Sequence, residues 1–360
     1  MKKLFVIIVL ASLWITIGSC GTTKKQESVS KPIQKKIAHV EIETLIQDST
    51  LNVRALEIDK KGIGSFALSN GQIGGIVKNP SELDTRLTFQ LMHDSIVPNF
   101  RSLAVTNKAG FVLSIASPTL LYKINKDSLK LVYKETHPKA FYDAMDFWND
   151  QEGIAIGDPT EDCMSIIITR DGGKTWTKLS CDNLPKAKEG EAAFAASDTN
   201  IAIVGDNTWV ATGGKASRIL YSHDKGKTWQ VYNTPIIQGL ETTGMYSIDF
   251  YDDKNGFAIG GDYTKPNDTL NNKIRTNDGG KTWQVVANGK GPGYRSCVQY
   301  VPNSNGKALV AVGFKGIDYS NDAGDSWTHL SDEGFYTIRF LNDSIAYAAG
   351  NGRISKLMFR

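Results

Sequence analysis

The sequence contains few of the residues from which metal and redox sites are built. Its 360 residues include 4 cysteines and 5 histidines, and neither type recurs at the spacing of a metal-binding motif. The longest apolar run, Leu4–Ile17, is shorter than the ~18 residues that suggest a membrane-spanning helix. Helical periodicity is also missing throughout. These shortages argue against a structural metal, a transmembrane helix and a helical fold.

Charge is distributed unevenly along the chain. The formal net charge is +3, yet residues 1–36 contain seven lysines and one glutamate. Residues 37–360 therefore carry a net charge of −3, which argues against nucleic acid as a partner. The glycine-rich stretches 71–75 and 289–293 lack the strand-then-helix context of a dinucleotide site, so no cofactor is predicted.

The N-terminus has the pattern of a bacterial export signal. Lys2 and Lys3 precede the apolar run Leu4–Ile17, and Gly-Ser-Cys20 follows it. Small residues before a cysteine resemble a lipobox, which implies lipidation of Cys20. An ordinary cleaved signal is the alternative. Residues 21–36 are rich in lysine, serine and glutamine, and are predicted to be a disordered tether. No acidic run follows Cys20, which favours an anchor facing the periplasm.

The other three cysteines leave two possibilities open. Cys163 and Cys181 fall within one predicted four-stranded unit, so they can form a disulfide in an oxidising periplasm. Alternatively, Cys163, Cys181 and Cys297 are all free thiols.

One eight-residue phrase occurs four times and organises the chain. Its pattern is Ser/Thr-x-Asp-x-Gly-x-Ser/Thr-Trp, and successive aspartates are 53, 54 and 44 residues apart. A repeat of that length fits blades of four strands. The aspartate and the glycine are typical of a tight turn, and the tryptophan begins the returning strand. The residues assigned to this structural role are Asp171, Trp176, Asp224, Trp229, Asp278, Trp283, Asp322 and Trp327.

These phrases resemble the Asp-box of BNR-repeat β-propellers such as sialidases. The stretches 147–159, 189–197, 211–218, 259–263 and 293–298 also resemble bacterial propellers related to photosystem II stability and assembly factors, many of which carry the label "oxidoreductase". The resemblance runs from about residue 50 to the end and implies an all-β propeller. Such rings host both enzymes and binding proteins.

The strand pattern over residues 37–360 predicts seven blades. They span about 51–92, 100–134, 141–180, 193–233, 245–287, 296–331 and 335–359. The last blade has only three strands, which leaves an open edge. The alternating run Ile37–Ile46 is predicted to fill that edge and close the ring.

Topology separates the repeated turns from the expected site. The Asp-box turns join the third and fourth strands of a blade on one face. Loops between second and third strands, and between blades, lie on the opposite face, which we call the top face. Propellers commonly bind ligands there. The predicted ligand-binding residues are Arg101, Asp158, Glu189, Glu191, Arg218, Asp262, Tyr263, Tyr294 and Arg295.

Two functions are consistent with this set. Arg101, Arg218 and Arg295 can form a carboxylate clamp, and Tyr263 or Tyr294 with Glu191 and Asp158 can act as in a sialidase-like glycoside hydrolase. However, the Phe/Tyr-Arg-Ile-Pro segment of sialidases is represented only by Asn99-Phe-Arg-Ser102. The favoured prediction is therefore a non-enzymatic, membrane-anchored propeller whose top face binds a protein or glycan partner.

Overall fold

Antiparallel β-strands make up nearly all of the regular structure in the computed structural model, which describes residues 36–79, 82–126 and 128–360. Its described helical element is a short 3₁₀ turn, Cys181–Asn183. In these ranges no helix has the length and apolar character needed to cross a bilayer. The compact unit spans Lys36–Arg360. The predicted signal, Cys20 and the tether up to residue 35 lie outside the described residues.

The strands form antiparallel groups of four, which we call blades and number along the chain. Blade 1 contains the second half of β1 (Val40–Ile58), then β2 (Gly64–Leu68), β3 (Gln72–Asn79) and β4 (Glu82–Gln90). Blade 2 contains β5 (Phe100–Val105), β6 (Gly110–Ser114), β7 (Thr119–Asn125) and β8 (Ser128–Glu135). Blade 3 contains β9 (Tyr142–Phe147), β10 (Gly153–Gly157), β11 (Ser165–Thr169) and β12 (Thr177–Lys178).

The remaining blades repeat this order, with two extra short strands. The next strands along the chain are β13 (Glu191–Ala192), β14 (Ile201–Val204), β15 (Asn207–Ala211), β16 (Gly213–Gly214), β17 (Arg218–Ser222) and β18 (Gln230–Asn233). Of these, β14, β15, β17 and β18 form blade 4, whereas β13 and β16 join the edge of blade 5. Blade 5 contains β19 (Thr243–Phe250), β20 (Gly256–Asp262), β21 (Lys273–Thr276) and β22 (Gln284–Val285).

Blades 6 and 7 complete the series. Blade 6 contains β23 (Cys297–Tyr300), β24 (Leu309–Gly313), β25 (Gly316–Ser320) and β26 (Thr328–Ser331). Blade 7 contains β27 (Thr337–Phe340), β28 (Ile345–Ala349), β29 (Asn351–Phe359) and the first half of β1. Each blade's innermost strand contacts the innermost strand of the next, and β27 returns to β1. The predicted all-β propeller is confirmed, with seven blades in a ring.

The ring is closed by the long strand β1. Its first half pairs with β29 from Val40↔Phe359 to Gln47↔Arg353, and its second half pairs with β2. The register shifts between Gln47 and Asn52, where the strand passes from the outside of blade 7 to the inside of blade 1. The predicted closure by the N-terminal strand is therefore confirmed, although the backbone bonds begin at Ala38 and the strand at Val40 rather than at Ile37.

In all four Asp-box turns the aspartate accepts the backbone N–H and the hydroxyl of the Ser/Thr four residues on. In the first, Asp171 Oδ1 accepts from the backbone N–H groups of Lys174 and Thr175 at 2.9 and 3.0 Å, and Oδ2 accepts from Thr175 Oγ1 at 2.7 Å. These bonds lower the pKa of Asp171 to about 2 despite partial burial. Gly173 has φ +73°, and a Cβ there would lie 2.2 Å from the Phe111 ring. Only glycine fits both constraints.

The Asp-box tryptophans bind adjacent blades together. Trp176 of blade 3 packs edge-on against Phe111 of blade 2, with ring centroids 6.3 Å apart. Trp327 of blade 6 lies 5.8 Å from Phe257 of blade 5, with the two rings tilted at 58°. The predicted role of this residue in contacting the neighbouring blade is thus observed, and the hydrophobic core is divided among clusters that lie between blades.

The main departure from prediction lies at the start of blade 4. Residues 193–200 were expected to begin that blade, but β14 starts at Ile201. Residues 193–200, which we call the axial segment, instead contact the inner strands of distant blades. Asp198 accepts backbone N–H bonds from Leu103 at 2.7 Å and from Met145 at 3.1 Å. The apolar run Ala193–Ala196 resembles the start of a buried strand, whereas the polar residues that follow it bond to distant blades, which the sequence pattern does not show.

Further bonds attach the axial segment to the opposite side of the ring. The donor–acceptor pairs are Ile248 N to Thr199 O, Ser197 Oγ to Ser296 O, and Thr337 Oγ1 to Ser197 O, at 2.9, 2.6 and 2.9 Å. Together with the Asp198 contacts, these bonds connect the segment to blades 2, 3, 5, 6 and 7. The segment therefore fills the axis of the ring.

On the other side of the axial segment, charged side chains of the inner strands face the ring axis, and we call this space the channel. Arg339 donates to Glu57 Oε1 at 2.6 Å and to the Asp198 carbonyl at 3.2 Å. Burial raises the pKa values of the Asp146 and Asp249 carboxyls to about 7. Both aspartates are half-buried, yet protein surrounds them on all sides. Their charged forms are therefore disfavoured.

A disulfide joins Cys163 to Cys181, with their Cα atoms 5.5 Å apart. It links the loop before β11 to the residues after β12 within blade 3. Cys297 is a buried free thiol. The choice between a disulfide and three free thiols is thereby decided in favour of the disulfide.

Deleting residues 37–47 is expected to lower the melting temperature by roughly 10 °C or more. That shift corresponds to a loss of several kcal/mol in the free energy of unfolding, since each kcal/mol changes the melting temperature of larger domains by about 2–4 °C. The deletion removes the strand that covers β29 and exposes a sheet edge. Differential scanning calorimetry measures the effect. As a control, Glu43→Ala removes only a partly exposed pairing with Lys356 and should change stability by less than about 1 kcal/mol. An unchanged melting temperature after the deletion would refute closure by β1.

The channel acids predict a stability that declines with rising pH. Their ordinary pKa is 3.8 and their folded value is about 7, so the folded state holds protons that the unfolded state releases. This contribution is complete below about pH 4 and is lost progressively up to about pH 7. The double variant Asp146→Asn, Asp249→Asn should reduce the difference in melting temperature between pH 5 and pH 8. An equal difference in both proteins would contradict the assignment.

Candidate functional site

A pocket of about 590 Å³ opens on the top face above the axial segment. This volume is within the range of typical ligand sites. Residues from the axial segment form its floor, and side chains from six blades form its walls. The lining residues are Arg54, Arg101, Phe141, Asp158, Ala192–Ala196, Glu241, Tyr246, Tyr263, Tyr294, Phe314 and Tyr336.

Two arginines form the basic side of the pocket. Arg54 donates to the carbonyl of Ala196 at 2.9 Å and stacks over the Tyr336 ring at 3.9 Å. Arg101 donates to Asn99 Oδ1 at 3.2 Å and to the Ala195 carbonyl at 3.4 Å. Burial, and then the neighbouring Arg54, lower the pKa of Arg101 to about 10. Neither arginine forms an ion pair with any described residue, so both positive charges are uncompensated.

Aromatic side chains make up the opposite wall. Tyr246 stacks on Phe194 with ring centroids 3.9 Å apart and meets Tyr294 edge-on at 4.8 Å. Tyr294 also contacts Phe314 at 5.4 Å. Tyr263 is 48% exposed at the rim. These contacts hold the rings in place, and rigid rings present apolar faces to a bound segment at little entropic cost.

Acidic residues occupy a third side. Asp158 lines the pocket and accepts the Ala193 N–H at 2.8 Å, and burial raises its pKa to about 6. Asp143 is completely buried beside it, and burial and the Asp158 charge raise its pKa well above the ordinary value. Glu241 lies on the exposed rim of the same pocket. The pocket therefore has a basic side and an acidic side.

Of the three arginines predicted to form one clamp, Arg101 lines this pocket and the other two do not. Arg218 forms a buried ion pair with Glu191, with Nε 3.0 Å from Oε1. Arg295 forms another with Asp318 at 2.6 Å. Both guanidinium groups are thus neutralised by carboxylates within the fold. They stabilise loops of the top face in place of presenting free charge.

The other predicted residues divide between the pocket and its surroundings. Asp158, Tyr263 and Tyr294 line it together with Arg101. Glu189 and Glu191 line an adjacent pocket that shares Asp158 and Glu241. Asp262 is buried and accepts from Thr264 Oγ1 at 2.7 Å, which is a local turn contact.

Sequence reasoning missed Arg54, because it lies inside a predicted strand. A signal was nevertheless present. Arg54-Ala-Leu56 and Arg101-Ser-Leu103 occupy equivalent places at the top of the inner strands of blades 1 and 2, and both leucines are buried. Aligning the blades by their inner strands places the two arginines side by side.

Comparisons with known proteins support the fold. The model of the BNR/Asp-box repeat matches residues 167–178, which contain the first phrase. No curated protein sequence matches the chain. Structural similarity is much broader, since solved propellers align over nearly the whole chain despite low identity.

Three of these structures illustrate the relationship. YCF48 bound to D1 peptide is 13% identical, with a TM-score of 0.64 over 92% of this chain and 100% of that one. YCF48 from Cyanidioschyzon merolae is 12% identical, with a TM-score of 0.61 over 90% and 99%. The RRP9 WD40 repeats are 10% identical, with a TM-score of 0.61 over 91% and 99%. The chain is a β-propeller with Asp-box repeats, and its fold is similar to that of YCF48.

Proposed function

We propose that this protein binds a segment of a protein partner in its top-face pocket and acts without catalysis, as an assembly or stability factor. The observation that carries the proposal is the pair of uncompensated charges on Arg54 and Arg101 beside a wall of aromatic rings. Buried guanidinium groups without a counter-ion are costly. A carboxylate from a partner segment would neutralise them in bidentate geometry.

The shape of the pocket fits a peptide better than a small reactive substrate. Its floor is backbone from the axial segment, whose carbonyls at Ala195 and Ala196 already orient the two arginines. Its aromatic wall offers apolar surface for one or two side chains of a bound segment. The propeller YCF48 has been solved bound to D1 peptide, which is consistent with a peptide ligand on this fold.

The alternative of sialidase-like hydrolysis is supported less well. That chemistry needs a three-arginine clamp and a carboxylate free to assist the nucleophile. In this protein Arg218 and Arg295 are engaged by acids, and Glu191 is the acid that engages Arg218. Two of the three clamp arginines and the glutamate proposed to assist the nucleophile are therefore already engaged within the fold.

We further propose that the protein is a lipoprotein of the bacterial envelope, anchored through Cys20 and facing the periplasm. The Val40 end of β1 pairs with Phe359 at the Asp-box face of blade 7. An anchor connected there would leave the top face free for a partner. The disulfide Cys163–Cys181 is also consistent with an oxidising compartment.

Replacing the two pocket arginines tests the binding proposal. Arg54→Met and Arg101→Met remove charge but keep length, and each should lower partner recovery at least about tenfold in quantitative crosslinking from native envelope membranes. Arg353→Met is the matched control, because that top-face arginine is already paired with Glu333 and should leave recovery unchanged. Equal recovery with all three variants would exclude the pocket as the binding site.

Cys20→Ala tests the anchor independently. The wild-type protein should fractionate with membranes and carry a diacylglycerol mass on a peptide beginning at Cys20. The variant should carry no diacylglycerol mass, because alanine has no thiol to which the lipid could be attached. A wild-type protein cleaved after another residue, without added lipid, would contradict lipidation.

A further inference from the structure

The acidic side of the pocket contains a carboxylate that the fold leaves unsatisfied. Asp143 is 0% exposed, and neither of its oxygens has a partner with acceptable hydrogen-bond geometry. The backbone N–H of Ala195 lies near enough to offset only part of the burial cost. A buried carboxylate normally requires a cation or several donors. This one has neither among the residues that the structure describes.

Asp158 is the member of this acidic pair that lies at the pocket surface. It interacts electrostatically with Asp143 and lines the pocket itself. No described lysine, arginine or histidine forms an ion pair with either aspartate. Lys139 lines the adjoining pocket with Asp158, but it is exposed and forms no such pair. Asp158, which faces the pocket, and the fully buried Asp143 are thus two acidic groups without a described cationic partner, and a cation at Asp158 would favour the ionised form of both.

We propose that Asp158, backed by Asp143, is the subsite for a basic side chain of the same partner segment whose carboxylate binds Arg54 and Arg101. This inference rests on the proposed peptide-binding function and adds a rule of recognition to it. The ligand is a segment that carries an acidic group and a lysine or arginine at a separation that spans the pocket.

The aromatic wall fits the same ligand. Tyr263 and Tyr294 line the pocket along with Asp158, and tyrosine rings attract ammonium and guanidinium groups through their faces. Glu241 at the rim adds a second negative charge along the approach. A basic side chain would thus pass a carboxylate at the rim and tyrosine rings on its way to the aspartate pair.

Opposite charges on two sides of one pocket also give the ligand a direction. A reversed segment would place its acid against Asp158 and its base against Arg54 and Arg101. A neutral segment would leave both sets of buried charges unpaired. Specificity of this kind comes mainly from the penalty on the wrong ligand.

The test uses matched fluorescein-labelled peptides with the full chain. Each has a free C-terminal carboxylate and one phenylalanine, and a single lysine is moved through the remaining alanine positions. A second series has norleucine in place of lysine. Fluorescence anisotropy gives both dissociation constants, and at the best position lysine should bind at least about tenfold more tightly than norleucine.

The variants identify the residues responsible. Asp158→Asn keeps an acceptor for the Ala193 N–H and should reduce the lysine-to-norleucine ratio to about one. Asp143→Asn, which cannot ionise when a cation binds nearby, should also lower the ratio. Glu161→Gln, on the same face but outside this pocket, should retain the full ratio. Melting temperatures of all variants establish that the fold is intact.

The outcomes separate this inference from the proposed function. If both series bind equally and Arg54→Met still weakens both, the basic subsite is refuted and peptide binding stands. If neither series depends on Arg54 and Arg101, the proposed function fails as well. If calcium chloride alone binds and displaces the lysine peptide with the same dependence on Asp158, the carboxylates form a metal site and the inference is overturned.

Discussion

The carboxylate of Asp198 holds the centre of this ring, and the pocket depends on it. It accepts backbone N–H groups from blades 2 and 3, while Ser197 and Thr199 beside it bond to blades 5, 6 and 7. Arg339 supports the segment from the channel side. A propeller without such a segment would have an open axis. Here the axis is filled by backbone, whose carbonyls then position Arg54 and Arg101.

The charges of the top face are satisfied selectively. Arg218 and Arg295 have buried acidic partners, and these pairs stiffen the loops that carry them. Arg54 and Arg101 have no such partners, and the same is true of Asp143 and Asp158 on the far side of the pocket. Because a charge that is partly withdrawn from water without a partner is costly, the half-buried Arg54, Arg101 and Asp158 around one concavity are more consistent with a ligand site than with a need of the fold. This contrast within one surface supports a binding function.

The repeated phrase made the fold predictable, since its period, its turn chemistry and its tryptophan each specify part of a blade. The site was predictable only in part. Asp158, Tyr263 and Tyr294 line the pocket together as loop topology suggests. A sequence cannot show that Glu191 reaches Arg218 or that Asp318 reaches Arg295, so paired and unpaired arginines looked alike. The axial segment was missed because its polar residues are buried by contacts with distant blades rather than by a strand pattern.

The axial segment is held as firmly as the blades, so that the pocket exists before any partner binds. Hydrogen exchange of the intact protein measures this directly. We expect the amides of Leu103, Met145 and Ile248, together with residues 193–200, to exchange as slowly as those of the inner strands. Exchange of residues 193–200 at the rate of the exposed loop 239–242 would contradict it.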